Sequence, residues 1–405
     1  MYSRLLLTVA GQVQAVALGW QMYVLTKNPL FLGFIGLAEA VPAIGMALYS
    51  GYLVDKKDPL ALYRATILIS LISAVIMFGS QVEAGGAAAT TQIVALFCSS
   101  FLTGIARSFA QPSMYAIIPR IVPRQLLPKS SAWMATNFQI ARIAGPAVGG
   151  VLFAMIGIAG TSAVVCLLLI FSAILAPAIK LTPPAAGAGI HTASLKENLL
   201  SGAKFVFGHP ILLPALSLDM ISVFFGGVTA LLPIYAAEIL NVGPRGLGAL
   251  RAAPAIGAAI MSLWLTHHDL RPRAGRYLLI AVFGFGISIL VFAVSKNLML
   301  SLAALTFTGI FDSVSVVVRS AAVQLSSPDE MRGRISAVNS IFIGSSNEIG
   351  EFESGVLAHF VGAVSASVIG GIACLLTVAW AAAAFPKLRN LDLNQLEAAH
   401  KTKTA

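Results

Sequence analysis

The sequence predicts an all-α membrane protein with twelve transmembrane helices in two pseudo-symmetric six-helix halves. Of its 405 residues, 58% are hydrophobic and only 10% are charged, against about 25% charged residues in an ordinary soluble domain. A soluble fold of this length cannot bury so much apolar surface, because the ratio of surface to volume limits burial. The apolar runs have the length of a helical span, about 20 residues, and lack the alternation of barrel strands.

Composition and motifs exclude several other classes. The three cysteines, Cys98, Cys166 and Cys374, each lie in an apolar run, which excludes a disulfide-stapled secreted scaffold. The net charge of +10 comes from short basic clusters between apolar stretches, a poor pattern for nucleic-acid binding. No phosphate-binding loop, nucleophile elbow or zinc helix is present. We therefore expect that the protein is not an enzyme, needs no cofactor and binds no nucleic acid. We also expect no metal site, because the adjacent His267 and His268 would point in different directions on a helix.

Twelve apolar runs are bounded by turns or charges. They lie at residues 4–26, 31–53, 60–82, 91–118, 131–156, 160–180, 209–236, 246–266, 276–295, 298–321, 335–360 and 363–385. The polar connection between runs six and seven begins with a Pro/Ala/Gly stretch and becomes amphipathic from Ser194 to Phe207. We expect this segment to lie in the membrane interface, with a solvated linker helix as the alternative.

The basic residues predict the topology. Of the 26 lysines and arginines, only Lys27, Arg245 and Lys296 fall in outer loops if the N-terminus is inside. Four more lie deeper within spans, and the remaining nineteen lie in inner loops, in tails or at the inner ends of spans. This bias follows the positive-inside rule and predicts that both termini are cytoplasmic, in a bacterial-type inner membrane. The predicted domains are an N-terminal bundle, a linker, a C-terminal bundle and a cytoplasmic tail, at residues 1–180, 181–208, 209–385 and 386–405.

The chain also aligns with itself. Residues 103–108 match residues 308–313 at an offset of 205, and residues 39–45 match residues 251–257 at an offset of 212. The repeat predicts two parallel six-helix halves, as in one class of secondary transporters.

The repeat exchanges charges between the halves. It aligns Arg107 with Asp312, and Glu39 with Arg251. Opposite charges are therefore expected at equivalent depths. Alternatively, Glu39 and Arg251 belong to simple interhelix ion pairs.

A charged side chain in the hydrocarbon region costs about 2.5–3.5 kcal/mol on insertion scales, so such residues are normally paired or face water. The basic residues within the predicted spans are Arg107, Arg142, Arg251 and Arg319, the last near the cytoplasmic end. The acidic ones are Glu39, Asp219, Asp312, Glu348, Glu351 and Glu353. A low dielectric favours a protonated carboxyl and a nearby arginine favours the charged form, so a carboxyl alternating between the two environments carries a proton.

Several strings resemble motifs of one family. They are the loop Gly51–Lys57, Arg107 after Gly104, the helix-5 string Gly145–Gly150, Leu218-Asp219 with Ala230–Pro233, and Pro328–Arg334 with Ser346–Glu348. On these residues the chain resembles the drug and siderophore exporters of the major facilitator superfamily, over essentially its whole length. The resemblance implies a proton-coupled exporter whose cavity is lined by spans 1, 4, 7 and 10.

The site residues follow from these arguments together. Proton-coupling candidates are Asp219, Asp312, Arg107 and Glu348, and the alternative for each is a structural pair. Candidates for the substrate cavity are Gln21, Gln111, Asn137, Arg142 and Phe225. Gating candidates are Asp55, Lys56, Gly145, Pro146, Gly149, Glu351, Arg332 and Arg334. The alternative is small-residue packing for the helix-5 residues, topology control for the loop charges and direct proton transfer for Glu351.

We expect a secondary transporter that exports a small amphiphilic molecule (a drug, siderophore or metabolite) by proton antiport, acting as a monomer in the bilayer. A proton-symport importer or an uncoupled facilitator of the same fold is the first alternative. A receptor or lipid-handling subunit that transports nothing is the second alternative.

Overall fold

The computed structural model describes residues 2–82, 89–178, 195–328 and 331–404, and every regular element in this part of the chain is helical. The first five α-helices are α1 Tyr2–Thr26, α2 Pro29–Lys56, α3 Pro59–Val82, α4 Ala89–Ile117 and α5 Leu127–Leu175. Next come α6 Leu195–Gly208, α7 Leu212–Phe225, α8 Leu232–Ile234, α9 Gly243–Leu265 and α10 Ala274–Val294. The last five are α11 Leu298–Ser326, α12 Arg332–Val361, α13 Ala363–Ala384, α14 Pro386–Arg389 and α15 Leu393–Thr404.

Ten helical stretches of the described residues are long and apolar enough to cross a membrane. One of them is α5, whose 49 residues contain a break at Gly157, with φ 64° and ψ −169°. The 30-residue helix α12 is long enough to span, but it is more polar than these ten stretches and is not among them. An all-helical membrane fold is confirmed, and the count of twelve spans stays a prediction.

Glycines with positive φ end the fifth and eleventh predicted spans. Gly157 interrupts α5, and Gly362, with φ 84°, connects α12 to α13. The left-handed region disfavours residues that carry a Cβ. The two glycines are 205 residues apart, which is the offset of the sequence repeat.

The seventh predicted span, 209–236, is interrupted. α7 ends at Phe225, and after Gly226 and Gly227 the chain continues as a 3-10 turn, α8 and a π-helical segment, Tyr235–Ile239. The backbone of Gly227 lies against Gly350 of α12, where an ideal Cβ would be 2.6 Å from the Gly350 carbonyl oxygen. The apolar run does not reveal this break, because it continues through the two glycines to residue 236.

The chain divides into two compact units, Met1–Thr192 with Ala230–Ala252, and Ala193–Thr229 with Ala253–Ala405. In the first unit α1 packs on α5, α2 on α4, and α3 on both α4 and α5. In the second unit α10 packs on α11 and α13, and α12 packs on α7 and α6. The amphipathic linker segment forms α6, while residues 181–194 lie outside the described residues.

Each unit repeats one close helix crossing. In the first unit, Gly104 of α4 packs on the backbone of Glu39 and on the ring of Pro42 in α2. In the second unit, Gly309 of α11 packs on the backbone of Pro254 in α9. Small residues allow such crossings in a membrane, and the positions agree with the two repeat offsets.

Candidate functional site

The second unit contains an ion pair between two predicted spans. Asp219 of α7 and Arg319 of α11 are 5% and 4% exposed, and Arg319 Nη1 lies 2.7 Å from Asp219 Oδ2. The Ser315 hydroxyl, one turn before Arg319, donates to Asp219 Oδ1 at 3.1 Å. Positions four residues apart share a helix face, so α11 supplies donors to both oxygens of the carboxylate.

Asp312 joins this group from the same helix. It lies seven residues before Arg319, or about two turns, and therefore on the same face of α11. Asp312, Asp219 and Ser315 all line one small cavity, together with Ser222 and Phe311. The structure thus brings together two of the predicted proton-coupling residues, Asp219 and Asp312.

The pairing of Arg319 with Asp219 was not predicted from the sequence. Arg319 lies in the last third of α11, as predicted, but it is buried in the bundle. The spacing of Asp312, Ser315 and Arg319 is a helical stripe of polar residues in an apolar span, and this signal was available in the sequence. Within the described residues, Arg319 Nε has no hydrogen-bond partner, so the guanidinium retains an unused donor.

A second ion pair lies in the first unit. Arg107 Nη1 of α4 is 2.7 Å from Glu39 Oε1 of α2, and the two side chains are 52% and 21% exposed. Glu39 therefore forms an interhelix pair, and its partner is Arg107. The guanidinium of Arg251, the other pair candidate, lies beside Gly19 of α1, with Nη2 3.7 Å from an ideal Cβ at that glycine.

The gating candidates of α5 pack on two different helices. Gly145 and Gly149 face α1, where an ideal Cβ on Gly149 would lie 3.0 Å from the Val13 Cα. Pro146 and Gly150 face α9, and an ideal Cβ on Gly150 would lie 2.9 Å from the Gly248 Cα. The helix-5 string therefore allows two close approaches of backbone, and its role in gating stays a prediction.

The remaining charged candidates lie on two helices, α2 and α12. Lys56 Nζ lies 4.5 Å from the Tyr52 ring centroid, and Arg334 Nη1 donates to Ser201 Oγ at 3.2 Å, which joins α12 to α6. On α12, Glu348 is buried and Glu351 is half-buried. The side chains of Asp55 and Arg332 lie outside the described part of the chain.

The cavity candidates occupy four helices. Gln111 of α4 donates to the Tyr115 hydroxyl at 3.2 Å, and the Arg142 guanidinium of α5 lies 5.9 Å from the Phe138 ring centroid. Phe225 at the end of α7 packs edge-on against Phe224. The other two candidates are half-buried, at Gln21 and Asn137. A common cavity for them stays a prediction.

Two further sets of polar contacts were not predicted from the sequence. The Tyr23 hydroxyl of α1 donates to the Glu238 carboxylate in the π-helical segment. Glu238 follows the predicted end of its span at residue 236, so it was not counted among the charges. The amide of Gln14 donates to Ser73 Oγ at 2.8 Å and to Ser99 Oγ at 3.0 Å, which joins α1, α3 and α4.

Residues 3–404 match the protein family described as transmembrane secretion effector. The chain belongs to this family of the major facilitator superfamily. This protein is therefore a multi-pass membrane protein of a transporter family, and that family is not one of enzymes.

Relatives of this chain in Escherichia coli and Shigella boydii are named enterobactin exporters. EntS of Escherichia coli O1:K1 / APEC is 23% identical over 290 residues, which are 70% of this chain and 64% of that relative. EntS of Shigella boydii serotype 4 (strain Sb227) is 22% identical over 386 residues, which are 93% of this chain and 84% of that relative. The chain thus spans just under two thirds of the first relative.

Solved transporters share the fold. A D-xylose-proton symporter is 14% identical with a TM-score of 0.72, covering 96% of this chain and 98% of that one. The inward-open xylose transporter XylE of E. coli is also 14% identical, with a TM-score of 0.70 and 98% of both chains covered. These likenesses confirm the major facilitator fold.

Proposed function

We propose that this transporter exports a small amphiphilic molecule by proton antiport, with alternating access of its two halves. The buried pair of Asp219 and Arg319 is the observation that carries the proposal. A pair removed from water contributes little net stability compared with apolar packing. Ionisable residues within membrane spans are, moreover, functional candidates by default.

The geometry suggests how a proton is handled. Protonation removes the charge of Asp219 and weakens its attraction to Arg319 at 2.7 Å. Arg319 retains an unused Nε donor, and Asp312 is the other carboxylate at the small cavity beside the pair. The Arg319 guanidinium then turns toward Asp312, so that Asp219 exchanges its proton while the carrier changes state.

The comparisons support export as the direction. The family is described as a secretion effector, and the related proteins are named enterobactin exporters. A siderophore is therefore the first cargo to test, and a drug or another metabolite is the broader class. The proton gradient is the proposed energy source, with no cofactor and a monomer as the transport unit.

The test is transport in liposomes of defined orientation under an imposed pH gradient, with enterobactin and an ethidium-like dye as cargo. The full chain is expected to move cargo only in the direction opposite to the proton flux. Asp219→Asn is expected to abolish gradient-driven flux at equal amounts of folded protein, whereas Asp219→Glu retains part of it. Asp269→Asn is the matched control, because Asp269 is an exposed acid in the connection between α9 and α10.

Each other outcome selects an alternative. Flux that ignores the gradient in both parent and Asp219→Asn indicates a facilitator, and cargo that moves with protons indicates a symporter. If Asp219→Asn transports as well as Asp269→Asn, the carboxylate at position 219 does not couple. A parent that moves neither cargo under any gradient contradicts the proposal for these two cargo classes and favours the receptor alternative.

A further inference from the structure

Four basic residues lie on two segments that pack together at one end of the second unit. Arg273 and Arg276 flank the start of α10, and Lys387 and Arg389 lie in α14. The Gly275 amide donates to the Leu391 carbonyl at 3.1 Å, and Gly275 also packs on the backbone of Leu388. The short helix α14 is thereby held on the first turn of α10. We call these four residues the basic cluster.

The basic cluster lacks counter-charges. All four residues are exposed, and none of their side chains has an ion pair or hydrogen bond with another described residue. Arg271 is different, because its Nη1 lies 3.2 Å from Glu397 Oε2 and its Nε lies 3.9 Å from Asp269 Oδ1. Glu397 and Asp269 are therefore engaged by Arg271, and the nearby Asp392 accepts from the Asn394 amide. Within the described residues, no ion pair neutralises the four cations of the basic cluster.

Two apolar stripes lead away from the basic cluster. Helices α10 and α13 pack side by side, and both are apolar enough to cross a membrane. On α10 the exposed apolar residues recur every three or four positions, at Tyr277, Ile280, Phe283 and Ile287. On α13 they recur in the same way, at Ile369, Ile372, Leu376 and Trp380. Such exposed apolar stripes along membrane spans are suited to contact with the acyl chains of lipids.

Aromatic residues mark the level of the lipid headgroups. Tyr277 follows Arg276 directly, and the Trp380 ring packs edge-on against Phe385, the residue before α14, at 5.2 Å between centroids. Tyrosine and tryptophan are enriched where the hydrocarbon region meets the headgroups. The basic cluster therefore lies at headgroup depth, on the side predicted to be cytoplasmic.

We propose that the basic cluster binds the phosphate headgroup of an anionic phospholipid of the adjacent leaflet, whose acyl chains lie along the α10 and α13 stripes. Clustered lysines and arginines at the end of a span attract anionic headgroups. The apolar stripes favour a lipid over a soluble phosphate compound, because only a lipid occupies both surfaces at once. This binding site is independent of the direction or coupling of transport.

The proposal is tested with the purified full-length chain in neutral detergent, by native mass spectrometry with phosphatidylglycerol or phosphatidylcholine added. Phosphatidylglycerol is expected to bind more tightly than phosphatidylcholine. Each cation removed should weaken phosphatidylglycerol binding by about five-fold at low salt. Arg273→Gln/Arg276→Gln and Lys387→Gln/Arg389→Gln should each therefore show a loss of roughly 25-fold.

Matched variants keep the test decisive. Lys296→Gln removes one exposed cation at the opposite end of α10 and should leave binding unchanged, while Arg273→Lys/Arg276→Lys retains the charge and should retain binding. Equal binding of the two lipids, or an equal loss in Lys296→Gln, would overturn the proposal. Competition by millimolar inorganic phosphate would also overturn it, because the site would then recognise a soluble anion.

Discussion

Ser315 and Arg319 lie one turn apart on α11 and contact different oxygens of the same carboxylate, that of Asp219 on α7. The serine donates to Oδ1 and the guanidinium lies beside Oδ2. Two helices of one unit are thus joined by a charge that is almost wholly removed from solvent. An exposed pair, Arg107 with Glu39, has the same separation of 2.7 Å in the other unit. Because only the Asp219–Arg319 pair is buried, we expect substitutions in the two pairs to change the free energy of unfolding by different amounts.

Removing one partner of the buried pair should destabilise the protein strongly. Asp219→Asn leaves the Arg319 charge buried without compensation, at an expected cost of about 3–5 kcal/mol. The double variant Asp219→Asn/Arg319→Gln should recover most of this loss, because no uncompensated charge remains. Thermal unfolding in detergent measures the stability of the single and the double variant. A double variant as unstable as Asp219→Asn would show that the pair is not a coupled unit.

The serine of this group should matter less. Ser315→Ala removes one hydrogen bond to a charged group, for which about 1.5–3 kcal/mol is typical. The same unfolding measurement should rank Ser315→Ala between the parent and Asp219→Asn. Ser340→Ala is a suitable control, because Ser340 is exposed and bonds only to the carbonyl one turn earlier on its own helix. Equal stability of the two serine variants would refute the assigned contact.

The exposed pair should contribute little to stability. We expect this exposed pair to face a water-filled path, since charged residues within spans are normally paired or face water. Arg107→Ala and Glu39→Ala should then each change the free energy of unfolding by less than about 1 kcal/mol, because water and salt screen such pairs. Raising the salt concentration should reduce even this difference. A loss as large as that of Asp219→Asn would mean that the pair is shielded from water in the membrane.

Glycine substitutions test the helix crossings directly. Gly104→Ala places a Cβ against the Glu39 backbone and Pro42, whereas nothing lies within 4 Å of the same atom at Gly45. Overpacking of this kind costs typically about 1–3 kcal/mol. Gly45→Ala should be neutral or stabilising by about 0.5–1 kcal/mol, because alanine is the better helix former. Equal stability of the two variants would contradict the crossing of α2 and α4.

Elements that depend on local composition were predictable from the sequence. The apolar runs predicted the helices. Gly157 and Gly362, which have positive φ in the structure, lie between predicted runs. The break after Phe225 was missed, because the apolar run continues through Gly226 and Gly227 and does not show that Gly227 meets Gly350 of another helix. The Asp219–Arg319 pair was missed for a related reason: a list of charges within spans does not say which faces meet. Arg107 and Glu39 were named, but their pairing required coordinates.

The one-residue connection at Gly362, like the break at Gly157, leaves almost no chain outside the bilayer at two of the predicted outer turns. An antibody, a protease or a phage recognises protruding loops, and these two hairpins offer none. An epitope tag inserted at either glycine would have to push apart two packed helices. Surface labelling of this protein should therefore be directed to another predicted outer connection, the one around the exposed Lys296 between α10 and α11.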